Sequence, residues 1–297
     1  QRAIDWSTNL NKPLLVLEAL RTGYEWARDR LHRFVLEGMA DNKAAFGDKP
    51  VRYYPYVETS HEAGSGLVDN LAAHASVVVT DDFPCFFIPR MLKKTARRLP
   101  TLLEAVDSNG LLPMRAADSF FPTAYAFRRF LQRELTPHLC ELPDPDPFAG
   151  AKIPEPTHVD PSILAKWPEA TDELLEAGRK VLSELPIDHA IGPAAFSGGS
   201  SAAQDALQTF LDDKLNRYHE DRSQPEADVV SGLSPWLHFG HISASDVFAQ
   251  LAMRENWSPD KLADNAKGSR QGWWGMSEPA ESFLDELITW RELSYNF

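Results

Sequence analysis

The sequence predicts two architectures in one chain: an α/β half built on a parallel sheet, then an all-α half. Three observations predict it. Up to about residue 139, short runs of Val, Leu and Tyr alternate with amphipathic helical stretches, the rhythm of crossovers over a parallel sheet. From about 140 to 190, prolines and acidic residues replace that rhythm. Beyond 190 only helical periodicity remains. The 297 residues fit two domains rather than one.

Gln1–Trp6 reads as helix interior rather than as a natural start. Pro13–Leu17 is a short apolar run of the kind buried on both faces of a sheet. Tyr24 to Met39 places Trp26, Leu31, Phe34, Val35 and Met39 at helical spacing, and Val51–Val57 is a Tyr- and Val-rich strand. Gly64-Ser65-Gly66 opens a helix over Leu67–His74. Ser76–Thr80 is the clearest buried strand, followed by a helix over Ile88–Arg98 and a strand over Thr101–Val106. Ligands of parallel sheets gather at the carboxyl ends of strands, here Thr80-Asp81-Asp82 and Asp107-Ser108-Asn109. Asp81 and Asp82 read first as caps of the next helix and second as metal ligands. Asp69 stands where a dinucleotide fingerprint needs its third glycine, which disfavours a standard dinucleotide site.

Between His138 and Ala190 eleven acidic residues face four basic ones, so this stretch holds over half of the net charge of −13. Its proline spacing excludes long helices and central strands, and it reads as a solvated linker. Three helices are expected after it: Ala202–Tyr218 capped by Ser200 or Ser201, one from Ser243 to Met253, and one from Glu281 onward. The domains are therefore 1–139, a linker over 140–190, and 191–297. No glycine, Asn cap or proline stops the last helix before Phe297, so both ends read as cuts and the chain as a fragment.

Apolar residues make up 43% and charged residues 25%, which excludes disordered, collagen-like and disulfide-stapled classes. Thirty basic residues against forty-three acidic ones exclude a protein that merely coats nucleic acid, so any DNA contact must be local. Cys85 and Cys140 form neither a metal motif nor a disulfide framework, which fits a reducing, cytoplasmic setting. No apolar window is long enough for a membrane span. Asn256-Trp257-Ser258 matches a glycosylation sequon without a secretory context. His238 and His241 lack a third ligand and read as structural, so no metal is expected. Two basic helix faces, Lys93-Lys94-Arg97-Arg98 and Arg128-Arg129-Arg133, read as solvated surfaces.

The stretch that carries chemistry is Tyr218-His-Glu-Asp-Arg222, followed by Val230-Ser231-Gly232-Leu233-Ser234-Pro235-Trp236-Leu237-His238-Phe239-Gly240. Backbone N–H groups and two hydroxyls in the Ser231–Ser234 turn suit a diphosphate, although small polar turns before helices are commonly just caps. A second segment is Glu281-Ser-Phe283-Leu-Asp-Glu286-Leu-Ile-Thr-Trp290-Arg-Glu-Leu-Ser-Tyr-Asn-Phe297. In α-helical geometry Glu286 and Trp290 share a face.

Together these segments resemble the photolyase/cryptochrome family, whose helical domain carries Leu-Ser-Pro-Tyr-Leu-His-Phe-Gly and a Phe-Leu-Glu-Glu-Leu-Ile helix. Here Trp236 replaces the usual Tyr. The Glu286–Trp290 spacing, with Val77–Pro84, Pro89-Arg90 and Val106–Gly110, is most similar to class II cyclobutane pyrimidine dimer photolyases. The resemblance covers almost the whole chain. It implies a Rossmann-like N-terminal α/β domain and the start of a helical FAD-binding domain. It also implies light-driven, FAD-dependent splitting of cyclobutane dimers in UV-damaged DNA by electron transfer from reduced flavin.

By that resemblance Tyr218 and the turn Val230, Ser231, Gly232, Leu233 and Ser234 hold the FAD phosphates, and Phe283 lines the flavin pocket. Arg222 grips DNA near the lesion. Glu286, expected buried and protonated, hydrogen-bonds the dimer, and Trp290 walls the lesion pocket. Gly232 stands where class I members often carry Arg, so no side-chain phosphate contact transfers there. A second, antenna chromophore, a monomeric state and no evident protein partner complete the expectation. As a fragment the chain is expected to bind FAD poorly and to be inactive by itself. The alternatives are a cryptochrome-like photoreceptor without repair activity and an unrelated nucleotide-binding electron-transfer protein.

Overall fold

The computed structural model describes residues 1–140, 142–156, 158–176 and 178–296. The end of the last segment at Phe297 therefore lies outside the described residues. Two compact units emerge: 1–80 with 92–104 and 146–203, and 81–91 with 105–145 and 204–297.

The first unit opens with helix α1 (Arg2–Leu10), then strand β1 (Leu14–Leu20), helix α2 (Asp29–Phe46) and strand β2 (Val51–Val57). β1 and β2 are parallel in the register Leu14↔Val51 to Leu20↔Val57. α2 starts at Asp29, five residues later than the periodicity predicts. Backbone around Ala27–Asp29 is engaged elsewhere: Asp188 donates to Ala27 (2.9 Å) and Asp29 donates to Asp188 (3.3 Å). That pairing holds Arg28 extended and forbids a helical turn there.

Helix α3 (Leu67–Ala72), strand β3 (Val77–Asp81), helix α4 (Ile88–Arg98) and strand β4 (Leu102–Val106) follow. The expected single sheet is, among the described residues, two strand pairs, β1–β2 and β3–β4. β3 is only half-buried along its length, not the deeply buried strand its Val run suggests. Asp81 and Asp82 do not cap α4. Asp81 accepts from the Ser108 hydroxyl (2.8 Å) and Asp82 pairs with Arg115 (2.5 Å).

The 140–190 stretch departs furthest from expectation. It forms helices α6 (Pro161–Lys166), α7 (Asp172–Leu175) and α8 (Arg179–Glu184), after α5 (Ala124–Glu134) in the second unit. Ile163 and Trp167 are buried against Tyr54, Tyr56 and Leu67. Ala170, Leu175, Leu182 and Leu185 join Leu20, Leu36, Met39 and Val57 in a second cluster. The Ala170 N–H donates to the Pro55 carbonyl (2.8 Å), covering an edge of β2 where Pro55 has no N–H to offer. Apolar residues between the prolines thus outweigh the acidic surface, and from residue 146 the segment is part of a core rather than a solvated linker.

The helical half contains α9 (Ser200–Thr209), a π-helical turn over Phe210–Lys214, α10 (Leu215–Asp221), α11 (Ser234–Phe239) and α12 (Ala244–Arg254). It ends with α13 (Glu278–Leu284), a second π-helical turn over Asp285–Trp290 and α14 (Arg291–Asn296). At the α9 start the Asp41 carboxylate accepts from the Ser201 amide (2.8 Å). α12 has the predicted cap, Ser243 accepting from the Asp246 amide (3.0 Å). No described helix is long and apolar enough to cross a membrane.

Candidate functional site

Four of the sequence-singled residues meet in the second unit. α10 presents Tyr218 and, at its C-cap one turn further, Arg222, and the α13–π segment presents Phe283 and Glu286. Phe283 meets Phe210 with tilted rings (4.6 Å between centroids) and Tyr218 edge-on (5.6 Å). Both Tyr218 and Phe283 are buried, so they join the α10–α13 seam as core residues with only the phenol oxygen as a polar tip. Burial raises the Tyr218 pKa although Arg222 opposes it, so the group remains a neutral hydroxyl.

Arg222 lies against the Tyr218 ring (5.7 Å to the centroid) and forms an ion pair with Glu286. The pair is half-exposed, with side-chain exposures of 29% and 37%. This corrects the expectation of a buried Glu286: its carboxyl is partly exposed and engaged by the Arg222 guanidinium. Arg222 is correspondingly not a free cation. Its planar fork carries five N–H donors and keeps directional capacity for a further anion.

Trp290 stands four residues beyond Glu286 at the end of the π turn, 44% exposed. A π turn accommodates one extra residue within a helix. Four residues still span close to one turn, so both side chains leave the same side.

The Val230–Ser234 turn precedes α11. Gly232 has φ +67°, and nothing lies within 4 Å of where a Cβ would project. The Leu233 amide donates to the Ser231 hydroxyl at 3.5 Å, and Leu233 is buried as the turn's anchor. Among the described residues none accepts from the Ser231, Gly232 or Ser234 amides. Small-residue amides without an acceptor in the chain suit a diphosphate. No described hydrogen bond, ion pair or ring contact joins this turn to the Tyr218–Arg222–Phe283–Glu286 group. A small cavity in the same unit lies elsewhere, lined by Leu112, Pro113, Met114, Phe127, Glu292 and Tyr295 among others.

Sequence reasoning missed the charges that hold the segment. Arg128, expected on a solvated face, is buried on α5 and grips Asp285 with two bonds (2.7 and 3.0 Å). Buried Glu281 accepts from the Gly275 amide (2.9 Å) and pins the turn before α13. Glu292 on α14 accepts from the Leu111 and Leu112 amides (2.7 and 3.3 Å), and burial pushes its pKa up to about 7. His238 packs against Phe239, and the described residues contain no group of three potential metal ligands.

No family model matches the chain. It is 27% identical over 298 residues to the deoxyribodipyrimidine photo-lyase of Methanothermobacter thermautotrophicus, covering 99% of this chain and 56% of that protein. With the deoxyribodipyrimidine photo-lyase of Arabidopsis thaliana it shares 26% over 299 residues, covering 99% and 54%. A shorter match, 30% over 120 residues, links 39% of the chain to 23% of cryptochrome-1 of Sinapis alba. Among solved structures, a bacterial class III photolyase from Agrobacterium tumefaciens matches with TM-score 0.62 at 18% identity, over 99% of this chain and 55% of that one. A Synechocystis sp. PCC6803 cryptochrome matches with TM-score 0.61 at 14% identity, over 100% and 59%. The two structures establish a common fold. The chain spans about half the length of the curated relatives it matches.

Proposed function

We propose that this chain, a homologue of proteins named deoxyribodipyrimidine photo-lyase and cryptochrome, carries the DNA-facing and phosphate-holding part of a light-driven DNA repair enzyme. The observation that carries the reading is the Arg222–Glu286 ion pair, with the exposed Trp290 four residues beyond Glu286 at the end of the same π turn. A cationic fork, a carboxylate and an exposed indole are the groups needed to hold a flipped base step.

A cyclobutane pyrimidine dimer is inaccessible within a duplex and must be extruded, at a cost of a few kcal/mol. Stacking on Trp290 returns about 1–3 kcal/mol per base. Arg222, oriented by Glu286, takes the phosphate beside the lesion. The Glu286 carboxylate accepts from base N–H groups. Any donation from Glu286 to a pyrimidine carbonyl would require the Arg222 pair to open first.

FAD is the cofactor we assign, and the 230–234 turn fits its diphosphate through the Ser231, Gly232 and Ser234 amides. When bound in reduced form and excited by light, FAD supplies the electron that opens the cyclobutane ring. Tyr218 and Phe283 close the apolar floor beside Arg222. We place the enzyme in the cytoplasm, where Cys85 and Cys140 stay free thiols, and expect it to act as a monomer, with an antenna chromophore of unassigned identity.

The test is loss of thymine dimers from irradiated oligonucleotides under blue light, using a polypeptide of the relatives' length that carries these 297 residues. Loss that disappears in Trp290→Ala supports repair. Flavin photoreduction without dimer loss would favour the cryptochrome-like reading, which the shorter cryptochrome matches keep alive. The 297-residue chain by itself should take up FAD weakly, and stoichiometric flavin absorbance after purification would contradict that part.

A further inference from the structure

We propose that Arg128 is a positioning residue: its fork on Asp285 fixes the π turn that carries Glu286 and Trp290, and thereby sets how that side meets a damaged base step. The inference rests on the proposed repair function and adds a residue remote from the contacts.

Arg128 and Asp285 are 7% and 5% exposed, and the Nε–Oδ1 and Nη2–Oδ2 distances are 2.7 and 3.0 Å. Two parallel bonds fix an orientation as well as a distance, which a point charge would not do. The remaining Arg128 nitrogen donates to the Gly268 carbonyl (3.2 Å). Gln132, one turn along α5, donates to the Ser269 carbonyl (2.9 Å) and accepts from the Gly268 amide (2.8 Å). Gly268 has φ +75°, and a Cβ there would meet the Tyr125 carbonyl oxygen at 3.1 Å, so the loop follows α5 closely. Arg270, itself exposed, approaches Asp285 as well, at 3.8 Å.

Asp285 is the first residue of the π turn, immediately before Glu286. An isolated helix prefers the α form, and a π turn persists where surrounding contacts select it. A buried ion pair is a poor means of adding stability, because well-packed apolar residues of similar volume commonly do as well or better. What the pair supplies is a specified geometry at the residue that starts the π turn.

The test separates geometry from stability. In Arg128→Met/Asp285→Leu the charges leave together, so the melting temperature should stay near that of the unchanged chain. The affinity ratio for a dimer-containing over an undamaged oligonucleotide should fall at least tenfold, with affinity for undamaged DNA unaltered. The Trp290 indole N–H signal in a nitrogen–proton correlation spectrum, assigned by its loss in Trp290→Phe, should shift or broaden. A double variant with that signal and that ratio unchanged overturns the proposal. Should the double variant fail to fold, Arg128→Lys retains the charge without the fork; a moved Trp290 signal then supports the proposal and an unmoved one overturns it. If the unchanged chain shows no preference for damaged DNA, the repair function falls while the Trp290 signal still decides whether Arg128 sets the turn.

Discussion

Glu58 in the first unit and Glu292 in the second are both buried carboxyls, and their surroundings treat them oppositely. Glu58 follows β2 and accepts from the Thr22 amide (2.9 Å), the Thr22 hydroxyl (3.2 Å) and the Gly64 amide (3.1 Å). Burial raises its pKa, but those three donors and nearby Arg21 outweigh burial and hold it below the ordinary carboxylate value. For Glu292 burial outweighs its two amide donors, with Asp107 adding to it, and the pKa is pushed up to about 7. The first unit is otherwise held by apolar and aromatic packing around Trp167, Tyr54, Leu36 and Met39. The second inserts Arg128, Glu281, Asp285 and Glu292 between its helices. One region uses burial for cohesion, and the other accepts the desolvation of charge to fix particular backbone positions.

The comparison breaks most visibly in the first unit. Trp167→Ala should destabilise it by about 3–5 kcal/mol, because the ring fills the cluster against Tyr54 and Leu67 and its indole donates to the Ala63 carbonyl (2.9 Å). Denaturant unfolding followed by circular dichroism checks this; a loss under about 1 kcal/mol would return 161–167 to the status of a loose linker.

A second contrast is in pH dependence. Glu58, with a lowered native pKa, contributes stability that is present above the ordinary value of 4.5 and disappears as pH falls through its native value. Glu292, with a raised one, contributes stability present below 4.5 that is lost as pH rises towards about 7. Glu292→Gln should therefore flatten the fall in stability between pH 4.5 and 7, read from melting temperatures across that range. An undiminished fall in the variant would assign the effect to another group.

The smallest expected effect is at the candidate site. Arg222→Ala removes a half-exposed ion pair and should change stability by less than about 1 kcal/mol. Its effect on binding of dimer-containing DNA should be much larger. Equal losses in both would make Arg222 a structural residue of the second unit.

The same contrast explains what the sequence reveals. β2 and α4 occupy the residues their patterns predict, and the Ser243 cap is where the sequence places it, because each depends on local periodicity or a local hydrogen bond. The 161–187 packing escapes such reading, since proline spacing reports what a segment cannot form and not what its Ile163, Trp167 and Leu182 bury. The Tyr218, Arg222 and Glu286 grouping is anticipated by motif, yet the ion pair that engages Glu286 is visible only once α10 lies beside α13. Arg128 gives no signal at all: on a helix with Arg129 and Arg133 its spacing is that of a solvated face, and its partner is 157 residues away.

The proposed repair function requires that Arg222, Glu286 and Trp290 form one lesion-reading side. The most direct measurement is equilibrium binding of the chain to a fluorescent single-stranded oligonucleotide with one thymine dimer, beside its undamaged twin, for the unchanged protein and Trp290→Ala. The dimer strand should bind tighter by roughly tenfold or more, in line with about 1–3 kcal/mol of stacking, and the advantage should vanish in the variant. Equal affinity for both strands in the unchanged protein, or an advantage that survives the loss of the indole, would contradict the proposed function.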